Sequence, residues 1–99
     1  MISEFLWIEK VEENENEIKL TCELPDIEGD NDEFVHCGTI SIQRIEGELK
    51  GLIHLFDNFC HLCEGEVFDK KLFIRDVAFS IENKYGIDVP MENYELIWF

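Results

Sequence analysis

Basic residues are what this sequence has least of. Eight Lys and Arg stand against 23 Asp and Glu in 99 residues, a formal net charge of −15. Phosphate binding needs bases that release counterions, so no nucleic-acid partner is expected. An anionic lipid surface is disfavoured for the same reason. No apolar run approaches the ~18 residues that cross a membrane, and no membrane partner is expected. The stretch Met1 to Glu9 lacks both a basic lead-in and a small-residue cleavage site. A signal peptide is therefore not expected, and the chain is expected in the cytoplasm. With two prolines and six glycines, there is no Pro- or Gly-rich linker, low-complexity tract or internal repeat. One domain, 1–99, is expected.

What is present is enough for a core. Hydrophobic residues make up 45% of the chain, with eight Phe and two Trp. That argues against the disorder the charge alone would suggest. The acids are concentrated. Glu9 to Glu33 holds eleven acids and two bases, Lys10 and Lys19, a net −9 over a quarter of the length. Such a field attracts basic proteins and speeds their encounter. The plainer reading is a solvated surface that keeps a small protein soluble.

Phe5 to Ile8 reads as a short strand reaching towards Val11, and Glu12 to Asn16 as a turn. Glu17 to Leu24 alternates, with Ile18, Leu20, Cys22 and Leu24 on one face, as in a half-buried strand ended by Pro25. Asp26 to Glu33 is a loop. Phe34 to Ile45 is β again. Val35, Cys37, Thr39 and Ser41 share one face and Phe34, His36, Ile40 and Ile42 the other, as in a central strand. Glu46-Gly47-Glu48 turns the chain. Leu49, Leu52, Ile53, Phe56, Phe59, Cys60 and Cys63 have helical spacing, which predicts a helix over 49–63. A strand over 49–56, paired with Ile40 to Ile45, is the competing reading. Asp69 reads as the N-cap of a helix over 70–85. Its inner stripe is Ile74, Val77, Ala78, Ile81 and Tyr85, and Gly86 is its stop. Tyr94 to Phe99 is a last strand. The order β-β-β-α-α-β predicts an α+β fold, a largely antiparallel β-sheet with two helices packed on one face.

Sites of chemistry are few. Cys60-His61-Leu62-Cys63 is one ligand pair, whereas structural zinc takes four ligands, usually from two. Cys22 and Cys37 would have to complete it. In a cytoplasmic protein all four are expected to be free core thiols. A redox dithiol is the lesser alternative, because a reactive cysteine prefers a helix N-terminus. Asp26-x-Glu28-x-Asp30-x-Asp32 fails as a calcium loop, with Asn31 where glycine is required and Cys37 where the bidentate Glu belongs. His36, His54 and His61 have no nucleophile in a recognisable arrangement. There is no phosphate-binding glycine loop. Neither catalytic residues, a bound metal nor a cofactor is expected, and the chain is not expected to be an enzyme.

A recognition surface remains. Its candidate residues are Glu12, Glu13, Glu15, Asp26, Glu28, Asp30, Asp32 and Glu33, which would pair with Lys and Arg of a basic partner. Tyr94, with Trp7 and Trp98, could anchor the edge, unless the two Trp belong to the core. In size, charge and the acidic loop Asp26 to Glu33, the chain resembles bacterial toxin immunity proteins of the colicin and contact-dependent growth inhibition type. The resemblance implies a cognate, basic nuclease toxin domain as partner, a ribonuclease above all, blocked at its active site or beside it. The mixed α+β pattern departs from the all-helical immunity proteins of DNase colicins. Two alternatives stand beside it: a phage-encoded nucleic-acid mimic such as an anti-CRISPR protein, and a small zinc or redox protein built on the cysteines. No sequence feature fixes the oligomeric state, and a monomer is the starting expectation.

Overall fold

The computed structural model describes residues 6–25, 34–57, 59 and 69–98. Among them are five strands, β1 (Trp7–Glu13), β2 (Glu17–Pro25), β3 (Phe34–Ile45), β4 (Glu48–Leu55) and β5 (Tyr94–Trp98). They are joined by one helix, α1 (Lys70–Tyr85), and a 3-10 turn over Met91–Asn93. The strands form one sheet in chain order. β1 to β4 pair antiparallel, and β5 runs parallel to β4. A parallel neighbour needs a crossover connection, and the segment carrying α1 supplies it. The fold is α+β with a mixed, mostly antiparallel sheet.

The first loop is built by its asparagines. Asn14 Oδ1 accepts from the backbone N–H of Asn16 and Glu17, both at 2.9 Å. The turn is shorter than the sequence suggests, because Glu12 and Glu13 still belong to β1. A register shift between Lys10 and Glu12 leaves Val11 as the extra residue. A second shift pairs Cys22 with Gly38 but Glu23 with His36. Cys37 is therefore the bulged residue, and the bulge switches the parity of β3. Cys37 is buried with Ile40 and Ile42, not on the face of Thr39 and Ser41 that strict alternation assigns to it.

The helix expected over 49–63 is corrected over its first half. Residues 48–55 are β4, paired with β3 from Gly38↔Leu55 to Ile45↔Glu48. Residues 58 and 60–63 lie outside the described residues. Two physical facts decide for the strand. Glu46 and Gly47 both have positive φ, 52° and 82°, which is what a two-residue hairpin requires. The central strand β3 also needs a partner on its second edge to satisfy its backbone. The helical spacing of Leu49, Leu52, Ile53 and Phe56 coincides with a strand in which Ile53 and Leu55 are buried and Leu52 is exposed.

The helix at 70–85 forms with its expected ends. Asp69 Oδ1 accepts from the N–H groups of Lys71 and Leu72 at 3.0 and 3.1 Å, as an N-cap should. The Gly86 N–H closes on Glu82 O at 2.8 Å. Phe73, Ile74, Val77 and Ile81 are buried and Phe79 is exposed. Their partners are Ile8, Ile18, Leu20, Cys22, Leu24, Ile40, Ile42, Ile53 and Leu55 in one cluster. The core lies between α1 and one sheet face. No described helix is long and apolar enough to cross a membrane.

The end of α1 also closes the edge of the sheet. The Lys10 N–H donates to Tyr85 Oη at 2.9 Å, and Lys84 Nζ donates to Ile8 O at 3.0 Å. Lys84 Nζ also sits 3.6 Å from the Trp7 ring centroid and 3.3 Å from Glu9 Oε2. The Trp7 indole N–H reaches the same carboxylate oxygen at 2.8 Å. That bond, then Lys84's bond and charge, hold the Glu9 carboxyl below its ordinary range. A folded value below the unfolded one means this contribution is present at neutral pH and is lost as pH falls through the folded value. Two edge groups that an added strand would use are thereby occupied. A Lys84→Met, Tyr85→Phe double variant is expected to self-associate with rising concentration in sedimentation velocity. Sedimentation matching the wild type at every concentration would mean that these side chains do not guard the edge.

Candidate partner-binding surface

The side of the sheet away from α1 is polar. Cross-strand register lays its side chains out in rows. One row is Trp7, Glu23 and His36, and the next is Glu9, Thr21, Thr39, His54 and Ile97. A third is Glu12, Lys19, Ser41, Leu52 and Glu95, and a fourth is Glu17, Gln43 and Lys50. Acids outnumber bases here, and they differ in engagement. Lys19 Nζ lies 3.8 Å from both Glu12 Oε2 and Glu17 Oε1. Ser41 Oγ donates to Glu17 Oε2 at 2.6 Å. That bond, followed by one from Gln43, lowers the Glu17 pKa. Glu23 is half-buried and has no hydrogen-bond or ion-pair partner among the described residues.

Of the candidate acids, Glu12, Glu13 and Glu15 are among the described residues. Glu12 and Glu13 end β1 and Glu15 sits in the following turn, all exposed. Asp26, Glu28, Asp30, Asp32 and Glu33 lie outside the described residues. The end of the sheet that holds Glu12, Glu13 and Glu15 gains exposed acids that sequence reasoning missed. The Arg44 backbone N–H donates to Asn16 O at 3.0 Å, which puts the β3–β4 turn, with Glu46 and Glu48, at the same end of the sheet as the β1–β2 turn that holds Glu15. The E-G-E turn was the available signal, obscured by the helical spacing after it.

The aromatic candidates separate clearly. Tyr94 is buried at 6% exposure with its ring against Gly51, so it is placed in the core and not at the edge of the acidic surface. Burial, and then the charge of Asp88, push its phenol up to about 12. Its hydroxyl is buried and has no hydrogen-bond partner among the described residues. Trp7 is 47% exposed. Its ring centroid lies 6.5 Å from that of Phe34, which is 49% exposed and which sequence reasoning did not single out. Trp98 closes β5.

Cys22 and Cys37 are both buried. Burial, with a smaller effect of Cys37, raises the Cys22 pKa, the opposite of what a nucleophilic thiolate needs. The Cys37 thiol donates to Cys22 O at 3.4 Å. Cys60, His61 and Cys63 lie outside the described residues. No group of three or more His, Cys, Asp or Glu among the described residues could hold a metal ion. His36 and His54 both pack edge-on to Phe56, with centroids at 5.2 and 5.9 Å, and His36 Nε2 is 2.9 Å from Gly38 O. Comparison with known proteins found no matching family model, no matching curated protein and no matching solved structure.

Proposed function

We propose that this chain is an immunity protein. It binds a cognate basic nuclease toxin domain, a ribonuclease above all, and neutralises it by covering the active site or an adjacent surface. The supporting observation is the distribution of the −15 charge. Carboxylates of Glu9, Glu12, Glu17, Glu23 and Glu95 occupy the sheet face away from the core, with exposed Trp7 and Phe34 among them. A nuclease must be basic to hold its own substrate, so an acidic face both attracts it and competes for its phosphate-binding groups. Binding takes no catalytic group from this chain, and the reading makes it a cytoplasmic protein.

The test is purification of the tagged chain from its native host at low and at ~0.5 M salt, where exposed charges are strongly screened. A single basic nuclease fragment retained through the high-salt wash is the expected result. Reversal of Asp30, Asp32 and Glu33 to Lys is then expected to slow its association at least about tenfold and to flatten the salt dependence, with a smaller change in dissociation. A mixture of basic proteins that all wash off would overturn the reading. An unchanged association rate would show that the 26–33 loop is a solvated surface and takes no part.

A further inference from the structure

We propose that Trp7 and Phe34, with Glu23 between them, form the docking point for an arginine side chain of a basic protein partner. The proposal rests on the reading of this chain as a binder of basic proteins, and names the surface and the side chain it takes. Glu23 stands directly opposite Trp7 in the β1–β2 register, and Phe34 lies on the diagonal, two residues from His36 opposite Glu23. Diagonal neighbours on one face stand ~7–8 Å apart, which puts Phe34 within reach of Glu23, and the Trp7 and Phe34 rings approach across β2 to a centroid separation of 6.5 Å. Two large aromatic rings about half exposed at one spot are the usual material of a binding anchor.

The chain itself displays the recognition mode. Lys84 Nζ rests 3.6 Å from the Trp7 ring centroid and 3.3 Å from Glu9 Oε2, a cation held by an aromatic face and a carboxylate together. Phe34 and Glu23 offer the same two groups, and the Glu23 carboxylate has no cationic partner among the described residues. Lys84 is committed to Glu9 and Ile8 O. Arginine is the fitting occupant because a planar guanidinium can stack on a ring while two of its N–H groups meet one carboxylate. A lysine ammonium, as at Lys84, meets ring and carboxylate as a point charge, without planar stacking and without two parallel N–H bonds to one carboxylate.

The experiment is isothermal titration calorimetry at 0.15 M NaCl with an eight-residue arginine peptide and an eight-residue lysine peptide. It uses the wild type, Glu23→Gln, Phe34→Leu and, as a remote acidic control on α1, Glu82→Gln. Phe34→Leu keeps apolar bulk and removes the π-face, and thermal unfolding of each variant establishes that it is folded. The arginine peptide is expected to bind the wild type more tightly than the lysine peptide. Glu23→Gln and Phe34→Leu are each expected to weaken arginine-peptide binding at least about fivefold, and Glu82→Gln less than twofold. Equal weakening by all three variants, or equal affinity for the two peptides, would overturn the docking point and leave the binding of basic proteins standing as a diffuse field effect. Failure of both peptides to bind the wild type even at 0.05 M NaCl would remove the wider reading along with it.

Discussion

Truncation of Ile81 to alanine is expected to lower the unfolding free energy by about 2–5 kcal/mol. Ile81 is fully buried on the inner face of α1, the one described helix that covers the core face of the sheet. Its loss removes three carbons and leaves a void that β-sheet neighbours cannot close without bending. A domain of this size has only about 5–15 kcal/mol in total. The change should move the thermal midpoint by roughly 10 °C or more. Urea denaturation with an unchanged m-value is the measurement. Phe79→Ala is the internal comparison, because Phe79 is 67% exposed on the same helix and should change stability by no more than about 0.5 kcal/mol. Equal costs for the two would mean that α1 does not dock on the sheet through the face described.

The second large effect is expected at Gly51. A Cβ there would fall within 3.0 Å of two ring atoms of Tyr94, the residue paired with it on the parallel strand β5. Gly51→Ala should therefore destabilise by about 1–3 kcal/mol, the usual cost of overpacking a well-filled core. The obstacle is a side chain, so Tyr94→Leu in the same molecule should recover part of the loss, giving a coupling of about 0.5–3 kcal/mol in a double-mutant cycle. Gly38 supplies the contrast. Its added Cβ would meet the backbone oxygen of His54 at 2.7 Å, and no side-chain truncation relieves that contact. Strict additivity of Gly51→Ala and Tyr94→Leu would show that the β4–β5 pairing is not as described.

Both effects depend on β4, and β4 is where reading the sequence went astray. Leu49, Leu52, Ile53 and Phe56 satisfy a period of 3.6 and, taken from Gly51 through Ile53 to Leu55, the same segment satisfies a period of 2. Local pattern cannot separate the two over so few residues. The choice is made by pairing across a two-residue turn and by the small residue that lets Tyr94 approach. Helix α1 was legible at both ends because its signals are local: an Asp whose side chain caps the first turn, and a glycine that stops the last. The alternation of β2 was legible for the same reason.

The candidate surface divides in the same way. Charge and its concentration over residues 9–33 are properties of the sequence alone, since electrostatic sign survives any folding. Which acids stand together is not. Glu12 and Glu13 end β1 and Glu15 follows in the turn, and the β3–β4 hairpin brings Glu46 and Glu48 to the same end of the sheet. Burial of Tyr94 and exposure of Trp7 are likewise decided by register, because each strand position faces the core or the solvent according to its pairing, and a single bulge reverses the assignment. Cys37 is the clearest case. Counted along the sequence it belongs with Thr39 on the open face, and one unpaired residue in the ladder puts its thiol in the core. The sequence by itself determined the charge, the caps of α1 and the alternation of β2, all of which act over a few residues or over none. Only the tertiary structure decided the fourth strand, the faces and the grouping of the acids, because each depends on hydrogen bonds between residues far apart in the chain.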